Sequence, residues 1–293
     1  MKKNEIHIRD PFVLVHEGKY YLYGTRGATA WGDADGFDVF VSEDLENWSE
    51  PVEVFHNDGS FWATRHYWAP EVHAYGGAFY LFASFLGKGM CRGTSILKAE
   101  SPLGPFRPHS DKCVTPADWE CLDGTLYIDK QGKPWMVFCH EWTQIGNGEV
   151  CAMPLTDDLS AAAGEPRVLW HGADAPWVIL NKDFNREGYV TDGPFLWRTQ
   201  DGTLLSLWAS FSERGYTQGL MMSDNGEIDG NFVHLPPIDM DDAGHGMLFR
   251  DLQGQLWLTL HSPNVHPNER PHFIRMSDSG SVIACEQTEM NHV

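Results

Sequence analysis

Four residues that can exchange protons stand at the heads of repeated copies of one sequence phrase: Asp10, Asp123, Asp192 and His245. The phrase consists of a short apolar run, a turn with glycine, and a second apolar run rich in aromatic residues. A fifth copy begins at Ala69. If the copies are equivalent structural units, the four side chains meet in one place although they are far apart in the chain.

Three carboxyl groups in one partly dry place resist simultaneous ionisation, because each negative charge raises the pKa of its neighbours. Such a cluster can hold one carboxylic acid protonated near neutral pH beside a carboxylate that stays ionised. Acid–base cleavage of a glycosidic bond needs this pair of states. The alternative is that each Asp caps a turn, since Asp-Pro and Asp-Gly are common turn dipeptides. A single Asp favours turn capping, whereas four matched heads favour a site.

The elements that would position these residues follow from the repeat. Successive heads are 59, 54, 69 and 53 residues apart. A recurring strand–turn–strand unit with this period, present five times, predicts an all-β, five-bladed β-propeller in which the innermost strand of each blade lines the axis. We expect a single domain over 1–293, with blades at 6–56, 66–116, 119–171, 189–237 and 239–293. The segment 173–188 lengthens the third interval, and we interpret it as a loop over a cleft.

Composition excludes several classes of partner. The chain has 293 residues, enough for a large core, with 13% aromatic residues and 12 Trp, which suit both a propeller core and sugar stacking. Its formal net charge of −20 repels phosphate backbones and anionic lipid, so neither nucleic acid nor membrane is expected as a partner. The oligomeric state is not indicated by the sequence.

Two features predict a cytoplasmic location. The first seven residues contain no apolar stretch of the kind that a signal peptide needs, although a signal could have been trimmed. The six cysteines have no paired spacing, which favours buried reduced thiols over a disulfide framework.

The order and spacing of these motifs resemble glycoside hydrolase family 43 over nearly the whole chain. The matching segments are Arg9-Asp10-Pro11, Ser42 to Trp48, Trp68-Ala69-Pro70-Glu71-Val72, Ser101 to Phe106, Asp192-Gly193-Pro194, Ser223 to Phe232 and Gly244-His245-Gly246. The resemblance implies a five-bladed propeller and an inverting hydrolase of α-L-arabinofuranosides or β-D-xylosides. By position, Asp10 resembles the general base, Asp123 the carboxylate that orients and tunes the acid, and Asp192 the general acid.

Position 192 departs from the family pattern, which has Glu before Gly-Pro. The Asp side chain is one methylene shorter, so its carboxyl group retracts by roughly 1 Å, and a misplacement of about 1 Å can cost on the order of 10²-fold in rate. Glu187 or Glu141 is therefore an alternative acid.

The resemblance also implies a metal ligand and substrate contacts. His245 matches a family histidine that approaches a hydrated calcium or similar ion on the axis, and no organic cofactor is expected. Calcium prefers oxygen ligands, so the alternative is a hydrogen-bonded core histidine. Arg270 matches a family arginine beside the substrate, or is a surface arginine. Four aromatic residues are predicted to wall the sugar pocket, with core packing as the alternative: Trp68, Phe85, Trp142 and Phe211.

The predicted activity is exo-acting α-L-arabinofuranosidase, because insertions after the first strand pairs would narrow a cleft into a pocket. A β-D-xylosidase and an arabinanase are the alternatives within this class. The partners would be arabinose- or xylose-containing oligosaccharides of hemicellulose. A non-catalytic carbohydrate-binding propeller is the alternative from another class, and it rests on the Asp at position 192.

Overall fold

The computed structural model describes residues 1–280 and 283–286, which form almost entirely β-structure. Five four-stranded antiparallel sheets follow one another along the chain, and each is built from consecutive strands. The prediction of an all-β five-bladed propeller is confirmed. The predicted fifth blade extends to residue 293, and its residues 281, 282 and 287–293 lie outside the described part.

The strand bounds of the first three blades are as follows. The first contains β1 (Ile8–His16), β2 (Lys19–Arg26), β3 (Gly36–Ser42) and β4 (Val52–His56). The second contains β5 (Arg65–Tyr75), β6 (Ala78–Leu86), β7 (Gly93–Ala99) and β8 (Arg107–Cys113). The third contains β9 (Cys121–Ile128), β10 (Pro134–His140), β11 (Glu149–Pro154) and β12 (Arg167–His171).

The remaining strands begin with a small hairpin. It consists of β13 (Asn181–Asp183) and β14 (Arg186–Gly188), so the segment predicted as a plain loop contains a two-stranded sheet. The fourth blade contains β15 (Asp192–Arg198), β16 (Leu204–Ser212), β17 (Gly215–Ser223) and β18 (Phe232–Leu235). The fifth contains β19 (Gly244–Arg250), β20 (Leu256–Ser262), β21 (Arg270–Asp278) and β22 (Ile283–Cys285).

Helical structure within the described residues is confined to short turns. They are α1 (Trp142–Ile145) and three 3₁₀ turns at Lys3–Glu5, Gly27–Thr29 and Gly172–Asp174. No helix in this part of the chain has the length and apolar character that crossing a membrane requires.

Burial explains the composition of the strands. The second strands are buried on both faces because blades pack against one another, so they are nearly continuous apolar runs, as in β6, where eight of nine residues are buried. The outermost strands are more exposed than the second strands, and β8, for example, buries only Ser110. The core therefore lies between neighbouring blades.

Every innermost strand carries a β-bulge and a left-handed residue at its head, and β5 has a second left-handed residue, His66 (φ +52°). The head residues are Asp10 (φ +52°), Ala69 (+46°), Asp123 (+57°), Gly193 (+49°) and His245 (+55°). A bulge interrupts the ladder and re-aims side chains. In the fourth blade the left-handed residue is Gly193, one position after the head predicted from the repeat.

The backbone N–H groups freed by the bulges are bound by the preceding blade. In the first blade the Asp10 N–H donates to His261 Nδ1 (3.2 Å). In the second and third blades the Ala69 N–H donates to Thr25 Oγ1 (2.8 Å) and the Asp123 N–H donates to Ser84 Oγ (2.9 Å). Each acceptor lies near the end of the second strand of the preceding blade. In the last two blades Gly193 N donates to Asp123 Oδ2 (3.0 Å) and Gly246 N donates to Gln218 Oε1 (2.7 Å). Buried N–H groups need such partners, and here the partners join each blade to the next around the ring.

Candidate active site

Three of the four predicted head residues, Asp10, Asp123 and His245, meet at the propeller axis. Nδ1 of His245 lies 3.1 Å from Oδ1 of Asp10 and 3.8 Å from Oδ2 of Asp123. All three residues are buried, with exposed fractions of 5–9%. The ring of blades thus brings together side chains from the first, third and fifth inner strands.

Asp192 belongs to the same cluster but to a different layer. Strand pairing places Asp192 opposite Ala209. In the first two blades the equivalent pairs are Arg9 opposite Thr25 and Trp68 opposite Ser84. Asp192 is therefore aligned with the residues that precede the left-handed heads. It is partly exposed, whereas the axial residues are buried.

Two contacts fix Asp192. Tyr216 donates its hydroxyl proton to Asp192 Oδ2 at 3.0 Å. The following residue, Gly193, packs so closely on His245 that a Cβ there would fall 2.6 Å from the Cδ2 atom of the ring. Only glycine fits this approach, which joins the fourth inner strand to the axial histidine.

Asp10 is held from both sides. Thr25 donates its hydroxyl proton to Asp10 Oδ2 at 2.6 Å, and the same hydroxyl oxygen accepts the N–H of Ala69. His261 accepts the Asp10 N–H at Nδ1, so its proton is on Nε2, which lies 3.0 Å from Oδ1 of Asn264. Burial, with the nearby Arg9 charge, lowers the pKa of His261 to about 4, and the ring is neutral.

The electrostatic surroundings shift the pKa values of Asp10 and Asp192 in opposite directions. Burial alone would raise the pKa of Asp10, but the positive charges of His245 and Arg9 outweigh it, and the pKa lies below its usual range. Burial, together with the charge of Asp123, raises the pKa of Asp192 to about 7. One carboxylate is thus ionised throughout the neutral range while the other keeps its proton until about neutral pH.

The pKa values of the two remaining groups, Asp123 and His245, are also raised. Burial and the Asp10 charge raise the pKa of Asp123 to about 6. Burial opposes the charged form of His245, but Asp10 and Asp123 outweigh it and raise its pKa above the usual value. The two carboxyl groups that His245 faces therefore favour its protonated form.

Trp68 lies in an aromatic and cationic wall beside the cluster. Its ring stacks on His66 with centroids 4.0 Å apart, and the Arg92 guanidinium lies 4.8 Å from its centroid. Trp31, from the insertion in the first blade, packs edge-on against it at 5.6 Å and is 47% exposed. This wall offers the apolar faces on which sugar rings stack.

The other predicted aromatic contacts differ in position. Phe211 is partly exposed and lies 5.3 Å from the ring of Tyr216, the partner of Asp192. Trp142 is 5% exposed and packs beneath the hairpin at Gly188. Phe85 is wholly buried among Phe37, Phe61 and Tyr67. The prediction that Phe85 walls the pocket is wrong, because it belongs to the core.

The predicted arginine, Arg270, is the first residue of β21, and backbone carbonyl oxygens take up its hydrogen bonds. The Arg270 guanidinium donates to the carbonyl oxygens of Asn4, Pro267 and Glu269 at 2.7–3.1 Å. The structure instead places Arg9 beside Asp10. Arg9 donates to Glu269 Oε1 (2.9 Å) and Asn264 Oδ1 (2.8 Å), and lies 5.1 Å from the Trp31 centroid.

The alternative acids differ from each other. Glu187 is exposed and pairs with Lys182 at 2.8 Å. Glu141 is buried, accepts from Arg92 and Thr143, and its charge contributes to the raised pKa of Asp192. Only Glu141 therefore lies in the electrostatic surroundings of the cluster.

His245 does not provide a set of ligands for calcium. The Nδ1 atom of His245 faces Asp10. Within residues 1–280 and 283–286, three His, Cys, Asp or Glu side chains come close enough to share a metal ion at one place, and that place is His7, His266 and Glu269, away from His245. Calcium takes six to eight oxygen ligands. The residues at the axis do not fit direct coordination of calcium, and we derive no reaction step from an ion there.

Several residues of the site escaped the sequence analysis: Arg9 as an individual side chain, Thr25, Arg92, Tyr216 and His261. One signal was present. Thr25 and Ser84 both follow their heads by 15 residues, and His261 follows its head by 16. A polar residue at this recurring place inside an apolar strand marks the partner of a freed N–H group.

Comparisons with known proteins agree with this geometry. The family model described as Glycosyl hydrolases family 43 matches residues 5–276. The chain is 26% identical over 266 residues to extracellular exo-alpha-(1->5)-L-arabinofuranosidase ArbA of Cellvibrio japonicus (strain Ueda107), covering 84% of this chain and 72% of that protein. It is 25% identical over 152 residues to extracellular endo-alpha-(1->5)-L-arabinanase 1 of Bacillus subtilis (strain 168), covering 48% and 46%.

A solved structure extends the similarity to the whole chain. The endo-arabinase from Bacteroides thetaiotaomicron VPI-5482 matches with a TM-score of 0.88 and 37% identity, covering 100% of this chain and 99% of that one. The two sequence relatives are both named extracellular. This finding overturns the prediction of a cytoplasmic location, which rested on negative features of the sequence.

Replacing Asp10 with Asn should abolish most activity while the protein stays folded. The amide fills the same space but cannot take a proton, and general base catalysis contributes about 10²–10⁴-fold. We expect a loss of that size in kcat/KM, with an unchanged circular dichroism spectrum. Asp111→Asn, an exposed substitution on β8, is the control. Equal activity of the two variants would contradict a base at Asp10.

A pair of phenylalanine variants separates the core from the site. Phe85→Ala should lower the free energy of unfolding by about 3–5 kcal/mol, because it leaves a cavity among aromatic rings. Phe211→Ala should cost less stability, since Phe211 is partly exposed, and should raise KM instead. Denaturant unfolding and steady-state kinetics on both variants test this assignment. A small stability loss in Phe85→Ala would refute it.

Proposed function

Since the chain belongs to glycosyl hydrolase family 43, and is therefore a glycoside hydrolase, we propose that it releases single α-L-arabinofuranosyl residues from arabinose-containing oligosaccharides with inversion at the anomeric carbon. In this proposal Asp10 is the general base, Asp123 tunes the acid, and Asp192 is the general acid. The observation that carries the proposal is the convergence of Asp10, Asp123 and the Asp192-Gly193 segment around His245, where neighbouring groups lower the pKa of Asp10 and raise that of Asp192.

The reaction follows from these protonation states. Asp10 accepts a proton from a water molecule as the water oxygen forms a bond to the anomeric carbon. The bond from that carbon to the leaving oxygen breaks, and Asp192 gives its proton to the leaving oxygen. Asp123, at the axis, accepts the Gly193 N–H and so orders the segment that carries Asp192. Its negative charge also keeps Asp192 protonated.

Arabinose is favoured over xylose by the named relatives. Two sequence relatives are an arabinofuranosidase and an arabinanase, and a solved structure that matches the full chain at 37% identity is an endo-arabinase. Trp31, from the insertion in the first blade, packs against Trp68 and Arg9, and this insertion supports exo action because it would narrow a cleft into a pocket. The full-length similarity to an endo-arabinase makes endo cleavage of arabinan the second candidate.

A substrate panel tests this proposal. The enzyme should hydrolyse p-nitrophenyl α-L-arabinofuranoside well and the β-D-xyloside poorly, and should release only arabinose from linear α-1,5-arabinan from the start of the reaction. Early arabino-oligosaccharides would establish the endo alternative. Faster turnover of the xyloside would refute arabinose specificity. NMR of the first-formed anomer checks inversion.

Tyr216 gives a prediction about pH dependence. The acid at 192 must be protonated, so kcat/KM should fall as the pH rises through about 7. Tyr216 donates to the ionised carboxylate and so favours it. Tyr216→Phe should therefore raise the pKa of Asp192 and move the alkaline limb of the profile to higher pH. Tyr75→Phe, on the second blade, is the control. An alkaline limb that moves to lower pH in Tyr216→Phe would contradict the role of Asp192.

A further inference from the structure

A second cluster of ligating side chains lies where the first and last blades meet. It consists of His7, which precedes β1, together with His266 and Glu269 from the loop between β20 and β21. Oε2 of Glu269 lies 3.4 Å from Nε2 of His7 and 3.6 Å from Nδ1 of His266. The three ligand atoms are within 4.8 Å of one another. Nothing in the proposed reaction uses these groups.

These separations suit one transition-metal ion. Zinc bonds to imidazole nitrogen and carboxylate oxygen at about 2.0–2.2 Å with tetrahedral geometry, which puts its ligand atoms about 3.4 Å apart. Two imidazoles and one carboxylate are ligands that zinc accepts readily, whereas calcium and magnesium need more oxygen atoms. The donor set therefore favours zinc over the alkaline-earth ions.

The surroundings hold the ligands in place. The Glu269 side chain is wholly buried, and its other oxygen, Oε1, accepts from Arg9 at 2.9 Å, so Oε2 is turned toward the histidines. Residue 27 is glycine, and a Cβ there would fall 2.3 Å from His7 Nε2, in the space that this nitrogen needs. His7 and His266 side chains are 28% and 42% exposed, which leaves an open side for a metal ion and a water molecule.

We propose that His7 Nε2, His266 Nδ1 and Glu269 Oε2 bind one zinc ion, with water as the fourth ligand. The ion would join the start of the first blade to the last blade. Each described sheet is made of consecutive strands, so within residues 1–280 and 283–286 no strand is shared across this junction. The ion would also fix the Glu269 carboxylate that holds Arg9 beside Asp10.

Metal titration of the full-length, tag-free protein after dialysis against EDTA tests the site. Isothermal titration with zinc chloride should show one site per chain, and zinc should raise the melting temperature. His7→Gln and His266→Gln should each weaken zinc binding at least tenfold and abolish the shift in melting temperature. Cobalt(II) should give the visible absorption bands of a tetrahedral complex in the parent protein and lose them in both variants.

His56→Gln is the matched control, because His56 pairs with one carboxylate, Glu53, at 3.3 Å. It should bind zinc like the parent protein. Absence of stoichiometric zinc binding, or binding that survives both His7→Gln and His266→Gln, would overturn the proposal. Calcium chloride in place of zinc should leave the melting temperature unchanged, and a calcium response lost in His266→Gln would assign the site to calcium instead. Because these readouts do not involve turnover, failure of the proposed sugar specificity would leave them unaffected.

Discussion

The left-handed backbone at the head of every inner strand is the constraint on which the site depends. Four of the five residues concerned are not glycine, and each such residue costs about 1–3 kcal/mol. The cost is tolerated because the preceding blade binds the N–H group that each bulge frees. Thr25 shows this coupling most directly, since one hydroxyl group accepts from Ala69 and donates to Asp10. The contacts that close the ring are therefore also contacts that orient the site.

Charge at the axis is balanced within the same network. Asp10 and Asp123 face His245, and each carboxylate makes the imidazolium more favourable. Removing water from a charge is costly unless an opposite charge compensates. The positive charges of His245 and Arg9 lower the pKa of Asp10, whereas burial and the charges of neighbouring carboxylates raise the pKa values of Asp123 and Asp192. The placement of the two cations beside Asp10 thus gives three similar carboxyl groups different pKa values.

The repeat in the sequence was sufficient to predict the five blades and the meeting of Asp10, Asp123 and His245, because the spacing of apolar runs fixes strand order. It could not place side chains that depend on cross-strand register. Phe85 illustrates the limit: it lies near the end of the second strand β6, where a pocket residue was predicted, but Phe37, Phe61 and Tyr67 from other segments enclose its ring. Arg270 and Arg9 are a second case. Both lie near Glu269, and only hydrogen bonds across the junction of two blades show which of them turns toward Asp10.

The fourth blade shows why side-chain length alone does not decide the chemistry at position 192. The repeat aligned Asp192 with Asp10 and Asp123, whereas strand pairing aligns Gly193 with them and puts Asp192 in the register of Arg9 and Trp68. The position of a carboxyl group depends on the backbone that carries it as well as on its methylene count. In the first, second and fourth blades the residue before the left-handed head (Arg9, Trp68 and Asp192) is partly exposed. The shorter side chain of Asp therefore starts from a position nearer the open side than that of the axial heads, and Tyr216 holds it there.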